Sequence, residues 1–181
     1  MMPEVKVVCE GRIVREGGAI LEAHSSCTLV IMGEKKMVVD TSSRQYRGRV
    51  LDGLRKIGFA ARDVDLIVST HGHIDHVGND KLFTSARRIA LKAGDSTSIV
   101  APGVTLVRTP GHTPDSLSVF VEADENYAIA GDAMPTQDNF TKWVPPGIHY
   151  DQELALTSMK RIVEFADIIV PGHGPPFRVD R

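Results

Sequence analysis

Cysteine is scarce in this chain of 181 residues, which contains only Cys9 and Cys27. Small secreted domains that depend on disulfides are far richer in cysteine, so the composition argues against a disulfide framework and favours a reducing, cytoplasmic location. Each cysteine lies in an apolar run with strand character. We therefore expect two small buried side chains and no reactive thiol.

Long hydrophobic runs and a strong charge of one sign are also missing. The first residues lack the apolar core of a signal peptide, and no run approaches membrane-spanning length, so we expect a soluble protein with no membrane partner. The 21 basic and 23 acidic residues give a net charge of −2, which provides no general attraction for nucleic acid. Two basic clusters remain as candidate contacts for an anionic substrate, although such clusters are more often solvated faces: Arg44, Arg47 and Arg49, and Arg87, Arg88 and Lys92.

Histidine, by contrast, is concentrated in short motifs. His71, His73, Asp75 and His76 lie within six residues, directly after the apolar run 65–70. Imidazole and carboxylate are ligands of zinc and of several other divalent metals, and strand ends are where α/β proteins place their sites. The motif therefore predicts a metal site. The alternative, a polar loop with scattered histidines, does not explain why four such side chains lie so close together.

Three later motifs carry the same kinds of side chain, and each follows an apolar run with strand character. They are Thr-Pro-Gly-His-Thr at 109–113, Ala-Gly-Asp-Ala at 130–133 and Pro-Gly-His-Gly at 171–174. Only His24 and His149 lie outside the four motifs. We expect the four strand ends to converge on one cleft.

The order and composition of these motifs resemble those of the metallo-β-lactamase-fold hydrolases over almost the whole chain. The resemblance implies an α/β fold, a four-layer αββα sandwich, and two metals. It implies these ligands: His71, His73 and His112 for the first metal, Asp75, His76 and His173 for the second, and Asp132 as a bridge. Asp40 matches an early aspartate of the family, which implies that it orients a ligand.

This ligand set predicts hydrolysis. Two divalent cations about 3.5–4 Å apart make a shared hydroxide available near neutral pH and polarise a carbonyl or phosphoryl oxygen. Five imidazoles and two carboxylates suit two zinc ions per chain, although iron or manganese would also fit. No serine lies in a nucleophile elbow. Asp75 and Asp132 are therefore the candidate catalytic residues, with either Asp75 or metal-bound water as the proton donor to the leaving group.

The motifs do not distinguish ester from phosphodiester hydrolysis. They are similar to those of glyoxalase II, whose helical substrate-binding extension has no counterpart after Phe177. They are also similar to those of the metallo-β-lactamase domain-containing protein one branch, which is associated with RNA cleavage. We expect a small-molecule ester, thioester or lactone as substrate. The alternatives are a phosphodiesterase or ribonuclease, which needs basic contacts such as Arg44 and Arg47 near the cleft, and a metal-binding module without turnover.

The secondary-structure pattern predicts one α/β domain over residues 1–181. We expect strands at 5–14, 26–32, 36–40, 65–70, 88–91, 105–108, 117–121, 127–130 and 168–170. Helices are predicted at 45–57 and 151–164, the latter with Asp151 as N-cap, and a short helical stretch at 81–86. The segment 134–150 is expected to be a long loop beside the cleft. Four of its side chains are candidates either for substrate contact or for packing of the loop: Phe140, Trp143, His149 and Tyr150.

Overall fold

Thirteen strands and four α-helices form the part of the chain that the computed structural model describes, residues 1–180. The strands are β1 (Glu4–Cys9), β2 (Arg12–Glu16), β3 (Ala19–His24), β4 (Cys27–Met32), β5 (Lys35–Val39), β6 (Leu66–Val68), β7 (Arg87–Ile89), β8 (Thr97–Ala101), β9 (Val104–Arg108), β10 (Leu117–Glu122), β11 (Asn126–Gly131), β12 (Ile168–Pro171) and β13 (Phe177–Arg178). The helices are α1 (Arg47–Lys56), α2 (Ile74–Val77), α3 (Gln137–Thr141) and α4 (Gln152–Phe165). Short 3₁₀ turns are present at Arg44–Tyr46, Ala61–Asp63 and Asp80–Leu82.

Two sheets contain all of these strands except β2 and β3, which form a separate hairpin. The first sheet has the order β1-β4-β5-β6-β7, and the second has the order β13-β12-β11-β10-β9-β8. Most neighbours are antiparallel, but β5, β6 and β7 are mutually parallel, and so are β11 and β12. The carboxyl ends of the parallel strands therefore point to the same edge of each sheet, and the motif residues follow directly after them.

The packing of side chains explains the four layers. Along β10, Val119 faces the first sheet and the neighbouring Phe120 faces α4, as the two-residue period of a strand requires. Likewise Val38 faces α1, whereas Val39 faces the second sheet. Burial of each such aliphatic side chain contributes roughly 1.5–3 kcal/mol. The order α1, first sheet, second sheet, α4 is the αββα sandwich that was predicted.

The predicted helices at 45–57 and 151–164 correspond to α1 and α4. The first turn of α4 is capped as expected, since the Asp151 carboxylate accepts a hydrogen bond of 2.9 Å from the backbone N–H of Leu154. The helical stretch expected at 81–86 is only the 3₁₀ turn at Asp80–Leu82. No helix within residues 1–180 has the length and apolar character needed to cross a membrane.

The single strand expected at 5–14 is wrong. The chain leaves the first sheet after Cys9 and begins β2 at Arg12, which pairs with the unpredicted β3. Gly11 lies at this change of sheet, where a Cβ atom would overlap the carbonyl of Gly172 and the backbone of Ser26. An apolar run does not reveal which sheet it joins. The segment 134–150 also differs from the expected loop, because it contains α3.

Candidate metal centre

Polar loops from both sheets meet at one edge of the sandwich. His71–His76 follow β6, His112 follows β9, Asp132 follows β11 and His173 follows β12. All seven residues predicted as ligands lie together there, in three overlapping groups whose ligand atoms are within 4.8 Å of one another. The convergence of four strand ends was expected from the sequence.

Three imidazoles form the first cluster. Nε2 of His71 lies 3.0 Å from Nδ1 of His73, and Nε2 of His112 lies 3.1 Å from that same Nδ1. The rings are nearly perpendicular, at 81° to 88°, so that their nitrogens point toward a common space. Nitrogen ligands arranged tetrahedrally at 2.0–2.1 Å from zinc would be about 3.3 Å apart. The cluster thus has the spacing of one metal site.

The second cluster contains Asp75, His76 and His173. Oδ2 of Asp75 lies 3.5 Å from Nε2 of His173 and 3.8 Å from Nε2 of His76. Asp132 lies between the two clusters. Its Oδ1 is 3.3 Å from Nε2 of both His76 and His173, and its Oδ2 is 3.6 Å from Nε2 of His112. The two oxygens of one carboxylate therefore face different clusters.

Two buried atoms of this arrangement have no hydrogen-bond partner within residues 1–180: Nε2 of His76 and Oδ1 of Asp132. Unsatisfied buried polar atoms are uncommon, and each costs about 1–3 kcal/mol. A divalent cation accepts electron pairs from both imidazole nitrogen and carboxylate oxygen, so it would satisfy both atoms. The donor set therefore fits a bound metal.

Asp40 supports the second cluster from behind. It follows β5 with a left-handed backbone, at a φ of 55°. Nδ1 of His76 donates to its Oδ2 at 2.7 Å, and Thr70 donates to Oδ1 from its backbone N–H and to Oδ2 from its hydroxyl, at 2.8 and 2.7 Å. Because Asp40 accepts these bonds, it keeps a proton on Nδ1 of His76. A cation that displaced the proton of Nε2 would leave a neutral ring whose Nε2 lone pair faces the other ligands.

Backbone carbonyls orient two more imidazoles in the same way. Nδ1 of His112 donates to the carbonyl of Ile148 at 2.7 Å, and Nδ1 of His173 donates to the carbonyl of His24 at 2.9 Å. Both bonds direct Nε2 toward the centre. Sequence reasoning missed these contacts, because a carbonyl group leaves no side-chain signature and both carbonyls belong to segments remote from the motifs.

Burial and neighbouring charge set the pKa values of the centre. Burial, together with repulsion from His76, lowers the pKa of His71 to about 2. Burial also opposes the charged form of His76, but the carboxylates of Asp40 and Asp132 outweigh it and raise the pKa well above its usual range. Burial would raise the pKa of Asp132, yet the imidazoles that face it hold the pKa well below its usual range. Without a metal, Asp132 is therefore anionic, His71 neutral and His76 protonated at neutral pH, and a cation that binds here would displace the Nε2 proton of His76.

Glycines in two of the motifs make room for Asp132 and Thr70. A Cβ atom at Gly172 would overlap Oδ1 of Asp132, and one at Gly131, where φ is 53°, would overlap the side chain of Thr70. Only glycine lets these backbones approach so closely. The glycines of the motifs at 130–133 and 171–174 are therefore part of the geometry of the centre.

The centre opens into a cleft of about 150 Å³. The hairpin of β2 and β3 lines it with Ile13, Arg15 and Ile20, and the segment 146–148 provides another part of the wall. Apolar side chains thus surround the polar residues of the metal centre, as in many small-molecule sites. The contribution of the hairpin could not be anticipated, since the sequence pattern merged β2 with β1.

The four candidates of the segment 134–150 do not line this cleft. Phe140 packs against the core on the outer face of the second sheet, and Nδ1 of His149 donates to the carbonyl of Pro146 at 2.6 Å. Trp143 and Tyr150 are exposed outside the cleft. Substrate contact by these residues stays a hypothesis. From the same segment, four other residues line the cleft: Pro135, Pro146, Gly147 and Ile148.

Comparison with known proteins identifies the family. A sequence model of the metallo-beta-lactamase superfamily matches residues 21–98. A probable metallo-hydrolase of Methanocaldococcus jannaschii is 32% identical over 177 residues, which cover 93% of this chain and 86% of that protein. The chain belongs to the metallo-beta-lactamase superfamily. The metallo-beta-lactamase domain-containing protein 1 of Xenopus laevis is 35% identical in an alignment of 194 positions that covers 97% of this chain and 81% of the relative.

A solved structure shares this fold. An N-acyl homoserine lactone hydrolase, with the product N-hexanoyl-L-homoserine bound at its catalytic metal centre, matches with a TM-score of 0.70 and 23% identity over 95% of this chain and 92% of its own. Together with the metallo-hydrolase relatives, the superfamily membership makes this chain a metal-dependent hydrolase, as predicted.

Proposed function

We propose that this superfamily member is a dinuclear zinc hydrolase that acts on a small ester, thioester or lactone. The observation that carries the proposal is the position of Asp132, whose Oδ1 and Oδ2 face different ligand clusters. A carboxylate shared in this way would keep two cations at the separation of about 3.5–4 Å that is typical of two-metal hydrolases.

The proposed ligands divide into two sets and a bridge: His71, His73 and His112 for one metal, Asp75, His76 and His173 for the other, and Asp132 between them. Five imidazoles and two carboxylates suit zinc, and iron or manganese would compete for the same donors. Zinc is preferred because the three nitrogens of the first cluster have spacings close to those of tetrahedral ligands.

The two bound cations would supply a water of lowered pKa and polarise the carbonyl oxygen of the substrate. The side chains of the protein position the substrate and carry a proton from the attacking water to the leaving group. Asp75 lines the cleft, and one fifth of its side chain is exposed. Its Oδ2 faces the imidazoles. We assign to its Oδ1 the acceptance of the proton that the attacking water releases and the transfer of that proton to the leaving alkoxide or thiolate.

The walls of the cleft support a carbonyl substrate with an apolar arm. Ile13, Ile20 and Ile148 line the cleft and would exclude water from such an arm. The nuclease alternative needs several basic contacts near the cleft. The two residues named for it, Arg44 and Arg47, do not line the cleft, and Arg15 is the one arginine or lysine within residues 1–180 that does. Ester, thioester and lactone hydrolysis therefore remains the preferred function, and phosphodiester hydrolysis is an outcome that the experiment decides.

The experiment combines elemental analysis of metal-replete protein with hydrolysis assays on a thioester, a lactone and a bis-aryl phosphodiester. Chelated protein, and chelated protein restored with zinc, are the controls. We expect two metals per chain, and cleavage of a carbonyl substrate that chelation abolishes and zinc restores. Cleavage of the phosphodiester alone would replace the proposed substrate class, and one metal per chain with full activity would contradict the dinuclear centre.

A further inference from the structure

Arg15 is the only arginine or lysine within residues 1–180 that lines the cleft at the metal centre. It lies on β2, where Ile13 pairs with Ala23 and Arg15 pairs with Ile20. Cross-strand partners share a face of a hairpin, and all four of these residues line the cleft. A β-bulge between Val14 and Arg15 shifts the register, so that Ile20 and not Leu21 is opposite Arg15. The inner face of the hairpin thus presents one cation among apolar side chains.

The guanidinium of Arg15 has no hydrogen-bond or ion-pair partner in the part of the chain that the structure describes. Arg12, on the opposite face of the same strand, is different, because its Nε lies 3.6 Å from the carboxylate of Glu22. A guanidinium offers five N–H donors in a planar fork that matches a carboxylate or a phosphate. Arg15 is therefore available for an anion.

The guanidinium of Arg15 lies against the backbone of Gly147. A Cβ atom at Gly147 would lie 2.8 Å from Nη1 of Arg15, so the charged group rests against bare backbone in the wall of the cleft. The same glycine lines the cleft together with Arg15. An alanine at position 147 would displace the end of a flexible side chain, which costs little stability but moves the charge.

A second cavity of about 390 Å³ adjoins the cleft, and the two share Ile13, Arg15, Pro135 and Gly147 as lining residues. The other basic residue of this cavity, Lys142, is already paired with Asp138 at 2.7 Å. Arg15 is therefore the unpaired cation at the junction. A substrate arm too long for the cleft at the metal centre would pass beside it.

We propose that Arg15 binds an anionic group, a carboxylate or a phosphate, on the arm of the substrate several atoms from the bond that is hydrolysed. This inference rests on the proposed hydrolase function at the same centre. It makes Arg15 a specificity-determining residue, which selects anionic over neutral substrates through binding and takes no part in bond cleavage.

Matched ligand pairs test this role. The 4-nitrophenyl monoester of adipic acid and 4-nitrophenyl hexanoate have the same chain length and reacting bond, and differ only at the far end. The corresponding anilides, adipic acid monoanilide and hexananilide, are compared as non-hydrolysed ligands, so that binding is measured without turnover. A third anilide that ends in a phosphate monoester shows which anion is preferred.

The variants are Arg15→Gln, Gly147→Ala and, as the matched control, Arg12→Gln. We expect Arg15→Gln to weaken binding of the anionic anilide about tenfold, the magnitude of a charged hydrogen bond at a partly exposed site. KM for the anionic ester should rise by a similar factor, with kcat unchanged, because the contact is the same in the ground and transition states. Binding and hydrolysis of the neutral partners should change less than about twofold. Gly147→Ala should act in the same direction, and Arg12→Gln should change neither ligand.

Equal effects of Arg15→Gln on the anionic and neutral anilides, or no effect on either, would overturn the inference. Hydrolysis of neither ester would count against the proposed function, whereas the anilide titrations would still decide the role of Arg15. Preference for the phosphate-bearing anilide assigns a phosphorylated substrate, and preference for the carboxylate assigns a dicarboxylic monoester or a related lactone.

Discussion

Replacement of Asp40 by asparagine should weaken one metal site selectively. Oδ2 of Asp40 accepts hydrogen bonds from Nδ1 of His76 and from the hydroxyl of Thr70, and Oδ1 accepts from the backbone N–H of Thr70. Asparagine has the same shape but only one accepting oxygen. Its amide must therefore lose at least one of these interactions.

Two orientations of the new amide are possible. If its oxygen remains at Thr70 N–H, its NH₂ group faces Nδ1 of His76, which must then become an acceptor and carry its proton on Nε2. That proton would occupy the position of the lone pair that points into the second cluster. If the amide rotates, a buried backbone N–H loses its partner at a cost of about 1–3 kcal/mol. We expect the first orientation, and with it a loss of about 10–100-fold in affinity for the metal at Asp75, His76 and His173.

Zinc competition titrations with a chromophoric chelator will measure both affinities. Asp40→Asn should retain one tight site, at His71, His73 and His112, and hydrolysis should require higher zinc concentrations. Asp65→Asn is the matched control, because Asp65 makes the same kind of contact, accepting from the backbone N–H of Lys36 at 2.8 Å outside the metal centre. Two tight sites of unchanged affinity in Asp40→Asn would refute the tautomer argument.

The remaining predictions concern the bridge, a helix cap and the thiols. Asp132→Ala should reduce zinc at both sites, whereas His173→Ala should weaken mainly the second, as metal-to-protein ratios after dialysis will show; two metals and full activity in Asp132→Ala would contradict the bridge. Asp151→Ala should destabilise the fold by about 1 kcal/mol through loss of the N-cap of α4, measured by urea unfolding, and an unchanged midpoint would argue against the cap. Burial raises the pKa of Cys9 to about 11 and that of Cys27 well above its usual range, so both thiols stay protonated at pH 8. Iodoacetamide should therefore label buried Cys27 and half-buried Cys9 rapidly only after unfolding, as followed by mass spectrometry, and rapid labelling of the native protein would contradict the raised pKa values.

The sequence was most informative where the signal is local. The spacing of apolar residues predicted α1 and α4 nearly to their ends, because one face of each helix packs on a sheet. It was least informative where the same local pattern allows two arrangements. Residues 5–14 have strand character throughout, yet they divide between the first sheet and the hairpin of β2 and β3. That division depends on contacts of Gly11 with residues far along the chain.

The candidate site divides in the same way. The sequence predicted which kinds of side chain form the site. It also predicted the loop that carries His71, His73, Asp75 and His76, since six consecutive residues after a strand are necessarily close together. The position of Asp132 between the two clusters, with an orphaned Oδ1, depends on how β11 and β12 pair.

The sequence by itself determined the kinds of side chain at the site and the strand ends that carry them, because these follow from short motifs and local periodicity. The layered fold was implied by the resemblance of those motifs to a known family. Only the tertiary structure decided which nitrogen of His76, His112 and His173 points inward. The groups that orient these rings, a carboxylate and two backbone carbonyls, approach from distant segments. The tertiary structure also decided that Arg15 lines the cleft, because the position of a hairpin is set by packing between distant segments and not by local sequence.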